Sequence, residues 1–342
     1  MSELRKDPLT EQWVIISADR KKRPSDFQKK KNQNKNNSNK DFSCPFCLGN
    51  EKLTPPEITA IRSASSLPDD IGWEVRVVPN KFPALHAESP AVKKSSSIFE
   101  IREGIGCHEV VIETTDHNMD FSDYNEQHIK KIISIYKNRI ISLSKNPKLQ
   151  YLMVFKNYGL NAGASLSHAH SQIIGIPIIP SEISTRIENT LNYLAKEHKC
   201  LLCDIVKEEI SHKNRIIIEN DHFVAIFPYA SKIAFEICIL PKKHMASFIE
   251  INKEKKLSLS DIMKQVLLKL KVKLNNPDYN FFLHTTPFCR KELKYDQVLL
   301  EKGFHWYIQI IPRVANIGGF ELGSGCYINA VSPESAANYF RN

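Results

Sequence analysis

Apolar residues along this chain follow two rhythms, and the alternation between them occurs twice. Short runs dense in β-branched and aromatic residues at 74–78, 109–113 and 151–155 predict strands. Between the second and third, positions 122 to about 143 set Ile129, Ile132, Ile133, Tyr136 and Ile140 on one helical face, with Ser122 as the expected N-cap. The second half passes through the same order, with strands near 223–227, 235–240 and 281–284 and a helix from about 253 to 274. A further amphipathic stretch at 182–198 predicts a helix joining the halves. Each half reads as an antiparallel sheet with a long helix against it. The expectation is an α+β fold in two similar domains, 1–180 and 181–342.

Marker residues repeat with the pattern. Each half holds a Cys-x-x-Cys pair, Cys44/Cys47 and Cys200/Cys203, followed by strand, histidine, helix and histidine. The segment His108-Glu-Val-Val-Ile-Glu-Thr-Thr-Asp-His117 aligns without gaps on Phe235-Glu-Ile-Cys-Ile-Leu-Pro-Lys-Lys-His244. Further on, His168-Ala-His170-Ser-Gln172 matches His305-Trp-Tyr307-Ile-Gln309. Matches in one order imply a duplicated unit.

Composition narrows the class. With 342 residues, 42% hydrophobic and 25% charged, the chain reads as a soluble globular protein large enough for two domains. It lacks the run of roughly 18–20 apolar residues that a membrane span needs, and its start lacks a signal-peptide apolar core. A cytoplasmic address and no membrane partner are expected. The net charge of +9 comes largely from a Lys/Asn-rich run within 21–40, where a lone Phe27 does not make the aromatic interleaving that would stack bases. A solvated, mobile loop at about 28–42 is therefore expected there, and no nucleic-acid partner. Such a balance also suits phosphorylated substrates.

Eight cysteines without a signal peptide do not suggest a disulfide framework. Cys107, Cys238, Cys289 and Cys326 are scattered and read as buried thiols. A Cys-x-x-Cys pair taken alone suits a redox dithiol as well as a metal. The repeat supplies matched histidines, so two structural zinc sites per chain are expected: Cys44, Cys47, His117 and His168, then Cys200, Cys203, His244 and His305.

The chemistry concentrates in 157–172. Its small residues let backbone N–H groups approach a phosphate, and an extended strand sets His168, His170 and Gln172 on one face. With His168 on zinc, His170 stands on a rigid support as a nucleophile at phosphorus. Gln172 can donate to a phosphoryl oxygen but cannot protonate a leaving group. Tyr307 replaces His170 in the second copy, so only one half can be the covalent catalyst. The other half is expected to shape the substrate pocket or hold a dimer.

At these residues the chain resembles the galactose-1-phosphate uridylyltransferase family of the histidine-triad superfamily over nearly its whole length. The resemblance rests on Glu3-Leu-Arg-Lys-Asp-Pro-Leu-Thr, Trp13-Val-Ile-Ile, Arg20-Lys-Lys-Arg-Pro24, Cys44-Pro-Phe-Cys47, Val78-Pro-Asn80-Lys-Phe-Pro, the His-x-His-x-Gln strand and Gly318-Gly-Phe-Glu321. It implies paired histidine-triad-like domains, a homodimer and ping-pong transfer within galactose metabolism. UDP-glucose would leave a uridylyl group on His170, and galactose 1-phosphate would remove it. Hydrolases of the superfamily have a third histidine at the place of Gln172, which favours transfer here. Matching positions put Asn157, Gly163, Ser165 and Gln172 around the transferred phosphate, with Ser165 and Gln172 also assisting His170. They put Asn80, Arg20 and Arg23 near the nucleotide and its phosphates, and Phe320 and Glu321 near the sugar.

The late segment His305-Trp-Tyr307-Ile-Gln309 is similar instead to the plant ADP-glucose phosphorylase branch, which implies adenylyl transfer to inorganic phosphate as the alternative. Arg186 stands where an iron site of some relatives needs glutamate, so no iron is expected. A reading from another class is a zinc-stabilised nucleotide-binding module whose site has decayed.

Overall fold

The computed structural model describes residues 2–17, 43–88, 98–99, 101–288 and 294–342. Arg20, Arg23, Cys289 and the loop at 28–42 lie outside the described residues.

Ten strands form one sheet. The first half supplies β3 (Thr59–Arg62), β4 (Trp73–Pro79), β5 (Cys107–Ile112), β6 (Tyr151–Tyr158) and β7 (His170–Ile176). The second supplies β8 (Ile216–Glu219), β9 (Phe223–Ile226), β10 (Ile237–Pro241), β11 (Tyr279–His284) and β12 (Tyr307–Pro312). Their order is β3-β4-β5-β7-β6-β11-β12-β10-β9-β8, so the halves mirror each other about the β6–β11 seam. All pairings in this sheet are antiparallel, and at the seam Phe155 stands opposite Phe282. The fold class is α+β with two tandem histidine-triad-like units, as the sequence predicts. Fusion of the two half-sheets was not legible in the pattern, because β6 and β11 read as ordinary strands whichever neighbours they have.

One face of the sheet carries the long helices α1 (Glu126–Leu143) and α4 (Lys253–Lys273), packed on each other. The predicted stripe of α1 is buried, from Ile129 and Ile132 at 0% exposure to Tyr136 at 2%. Ser122 is not its cap. Asn125 is, its side chain accepting from His128 N–H, while Ser122 hydrogen-bonds Asp120 in the turn before. Helix α2 (Ser181–Glu197) joins the halves, and α3 (Leu201–His212) begins at the second cysteine pair, with Cys200 as its N-cap. Beyond these lie α5 (Gln297–Gly303), α6 (Gly319–Ser324) and α7 (Pro333–Arg341). The first strands, β1 (Glu3–Lys6) and β2 (Trp13–Ile16), form a small separate sheet with β13 (Tyr327–Asn329). No helix among the described residues is long and apolar enough to cross a membrane.

The register corrects the gapless match within the repeat. Gln172 stands opposite Val110, whereas Gln309 stands opposite Cys238, one place later than that match requires. The counterpart of His108 is therefore Glu236. Glu109 turns to the helix side, where it holds Arg139, and Glu236 turns to the other. The strands shift by one residue because the path from Val110 to His117 is one residue longer than that from its counterpart Cys238 to His244. Cys107, Cys238 and Cys326 are half-buried rather than buried as expected.

Candidate functional site

Both cysteine–histidine sets converge. The four ligand atoms of Cys44, Cys47, His117 and His168 lie within 4.8 Å of one another, as do those of Cys200, Cys203, His244 and His305. A tetrahedral zinc with Zn–S about 2.3 Å and Zn–N about 2.0–2.1 Å has S···N edges of roughly 3.5 Å. His168 Nδ1 lies 3.7 Å from Cys44 Sγ and 3.5 Å from Cys47 Sγ, and His117 Nδ1 lies 3.3 Å from Cys47 Sγ. In the second set the distances run from 3.4 to 3.9 Å. Burial pushes the Cys44 thiol up to about 11, so its thiolate needs a cation beside it. Both donor sets fit a divalent metal.

The two sets differ behind the ligands. His168 Nε2–H donates to the Thr114 carbonyl at 2.8 Å, which fixes the tautomer that offers Nδ1 to a metal. The matching His305 Nε2 is buried with no partner among the described residues. In the second set Cys203 is half-buried and His244 exposed.

His170 opens β7, two residues beyond His168, and is 6% exposed. Its Nδ1–H donates to the His168 carbonyl at 2.9 Å, so the lone pair lies on Nε2. Burial, helped by the nearby Lys156 ammonium, pulls its pKa down to about 4, which keeps it neutral and nucleophilic near pH 7. Phe46, between Cys44 and Cys47, packs edge-on against the ring at 5.3 Å and ties the cysteine turn to the imidazole.

Gln172 lies on the same face as His170. Its Oε1 is 2.7 Å from His108 Nε2, and Ala84 N–H donates to His108 Nδ1 at 3.2 Å. Nδ1 must then be the acceptor and Nε2 the donor, so the Gln172 NH₂ is left without a partner among the described residues. Asn80 stands alongside, with Nδ2 3.1 Å from His108 Nε2. With the Nε2 proton on Gln172, that contact adds no hydrogen bond.

The approach to the strand is a tight loop. Gly159 and Gly163 have φ of +82° and +85°, and a Cβ at Gly159 would collide with Asp278. Asn157 Oδ1 accepts from Asn280 across the seam at 2.8 Å, and Ser165 is exposed on the loop. Phe320 and Glu321 sit elsewhere in the described chain. Phe320 is half-exposed on α6, and Glu321 accepts from Gly318 N–H and lines a 320 Å³ hollow to which β7 contributes nothing.

Beneath β7 lies a pair that sequence reasoning missed. Lys156, 1% exposed, donates to Glu113, 0% exposed, at 2.6 Å and to the His170 carbonyl at 3.1 Å. The only sequence signal was a lysine and a glutamate inside otherwise apolar strand runs. His108 was visible only as a repeat marker, and Phe46 only as filler between cysteines.

The second half holds a different arrangement at the matching places. Arg186 Nη1 donates to Tyr307 Oη at 2.6 Å and to His284 Nδ1 at 3.1 Å. His284 Nε2 donates to Gln309 Oε1 at 2.9 Å, and Gln309 Nε2 donates to Glu236 at 2.6 Å. The amide that is open in the first half is tied up in the second. Trp306, Ile308 and Ile310 are buried in the core.

A tandem histidine-triad-like sheet with one buried His-x-His-x-Gln strand defines a nucleotidyltransferase. The pattern described as Galactose-1-phosphate uridyl transferase, N-terminal domain, matches residues 1–180, and that of the C-terminal domain matches 186–337. The chain belongs to the galactose-1-phosphate uridyl transferase family. It is 39% identical to an ADP-glucose phosphorylase of Arabidopsis thaliana over 99% of this chain and 92% of the relative. It is 28% identical to a galactose-1-phosphate uridylyltransferase of Thermotoga maritima over 100% of this chain and 98% of the relative. The crystal structure of an Arabidopsis ADP-glucose phosphorylase with bound ADP-glucose superposes with a TM-score of 0.83 at 36% identity, covering 100% of this chain and 98% of the other.

Proposed function

We propose that the chain moves the nucleoside monophosphate of a nucleotide sugar through His170 to a phosphate oxygen. His170 Nε2 attacks the α-phosphorus, the bond from that phosphorus to the sugar-phosphate oxygen breaks, and sugar 1-phosphate leaves. An oxygen of the acceptor phosphate then attacks the same phosphorus, and the P–N bond breaks to free His170. Gln172 donates its NH₂ to a phosphoryl oxygen, with Asn157, Gly163 and Ser165 around the group and Asn80 near the nucleotide. The observation that carries this reading is the neutral, buried His170 with its lone pair on Nε2, beside an amide whose donors are open.

For the nucleotide, the 39% identity to the ADP-glucose phosphorylase favours ADP-glucose as donor and inorganic phosphate as acceptor. Glucose 1-phosphate and ADP are then the products. Uridylyl transfer from UDP-glucose to galactose 1-phosphate is the second reading, supported by the family match over both halves. Comparison of kcat/KM for the two donors, each with inorganic phosphate and with galactose 1-phosphate, tests the choice. A preference for UDP-glucose with galactose 1-phosphate reverses it.

Zinc is the metal proposed for both sets, two ions per chain, each with a structural role. Held by the first set, it would stiffen the turn bearing Phe46 and, through His168, the start of β7. The protein is proposed to act as a cytoplasmic homodimer, in which the exposed Phe320 and Leu322 of α6 find cover. Arg20 and Arg23 are proposed phosphate contacts and Phe320 and Glu321 sugar contacts, all by family resemblance.

A further inference from the structure

Over the second half of the sheet lies a cavity of about 470 Å³, lined by Arg186, Tyr307 and Gln309 and walled by Leu202, Ile226 and Leu240. Its volume is that of a small-molecule site. By the mirror order of the strands it is the counterpart of the His170 site, with Tyr307 where His170 would stand.

The charge of Arg186 is opposed only weakly. Arg186 is 7% exposed, yet the nearest carboxylate is the largely exposed Glu182, 3.9 Å away. Its Nη1 bonds go to uncharged groups, and its Nε has no partner among the described residues. Apart from Glu209, the carboxylates around the cavity are engaged elsewhere, Glu208 with His212. Glu236 takes Gln309 and Lys232 N–H, Asp7 takes Leu9 N–H and the Thr10 hydroxyl, and Asp204 takes Tyr193. A buried guanidinium whose one ion pair is long and solvent-exposed is unfavourable and leaves room for an anion. Tyr307 Oη accepts from Arg186, which leaves its own proton free to donate. Glu209, 2% exposed, bonds Arg215 through Oε1, while its Oε2 is buried and unpartnered, an acceptor waiting for a hydroxyl.

We propose that this cavity is a second ligand site, one that binds a phosphate monoester with a hydroxylated body. The phosphoryl group rests on Arg186 and Tyr307, a hydroxyl on Glu209, and the body against the apolar walls. A sugar phosphate and a nucleoside monophosphate share this chemistry. The ligand is bound and not turned over, since Tyr307 is a neutral phenol and the Gln309 amide is tied to Glu236 and His284. The proposal is independent of which nucleotide His170 accepts.

Equilibrium dialysis of the full-length, zinc-loaded protein tests it, with labelled AMP, glucose 1-phosphate and inorganic phosphate as separate probes. At least one ester should bind at two equivalents per chain, and the identity of that ester settles the source. Arg186→Met should retain one equivalent. Tyr307→Phe, which removes a single oxygen and serves if Arg186→Met fails to fold, should weaken the second equivalent about tenfold. Nucleotide labelling of His170 should persist in both variants, which separates this site from the catalytic one. One equivalent of each ester on the unaltered protein, two unweakened equivalents on either folded variant, or double binding of inorganic phosphate alone would overturn the proposal.

Discussion

His108 Nε2–H donates to Oε1 of Gln172 at 2.7 Å, and the direction of that bond decides which end of the amide is left open. Ala84 N–H sets the direction by occupying the other ring nitrogen. Without His108 the amide can rotate and present its oxygen to a phosphoryl oxygen, where it repels. His108→Leu should slow formation of the nucleotidyl-enzyme by about tenfold, and Gln172→Leu by roughly a hundredfold, in the range of a lost transition-state donor. Single-turnover labelling measures both. Equal rates for His108→Leu and the unaltered protein would remove His108 from the mechanism.

Lys156 and Glu113 form a fully buried pair beneath His170. Lys156→Met strands the Glu113 carboxylate and should cost about 3–5 kcal/mol of stability, read by urea unfolding. Adding Glu113→Leu should recover most of that loss. Labelling should stay slow in the double variant, because the His170 carbonyl has lost its donor. Full recovery of labelling would make the pair purely structural.

Metal removal should be stepwise. The second set has the more exposed ligands and an unpartnered His305 Nε2, so chelator should strip it first and lower Tm while labelling continues. Loss of the first set, or Cys47→Ser, should cut labelling by about ten- to a hundredfold by loosening His168 and Phe46. Parallel metal analysis and labelling along a chelator titration check this. Loss of activity in step with the first metal released would contradict it.

Much of this was legible in the chain. Cysteine and histidine types at repeated spacings gave both ligand sets, since metal ligation demands particular side chains and a duplication shows them twice. The apolar stripe of α1 was equally plain. What escaped depends on facing and register. The gapless match paired Glu109 with Glu236, although a one-residue shift turns them to opposite faces of the sheet. The hold of His108 on Gln172 joins side chains 64 positions apart, and no local pattern announces it. Arg186 was read only as a missing glutamate, and its burial beside Tyr307 emerges when α2 packs on the sheet.

The central claim is that His170 is the covalent nucleophile and the only one. Incubation with ADP-glucose or UDP-glucose labelled in the α-phosphate, followed by quenching at alkaline pH, tests it most directly. The unaltered protein and Tyr307→Phe should each retain about one acid-labile nucleotidyl group per chain. His170→Ala, folded and with its metal content intact, should retain none. A labelled intermediate on His170→Ala would contradict the account at its centre.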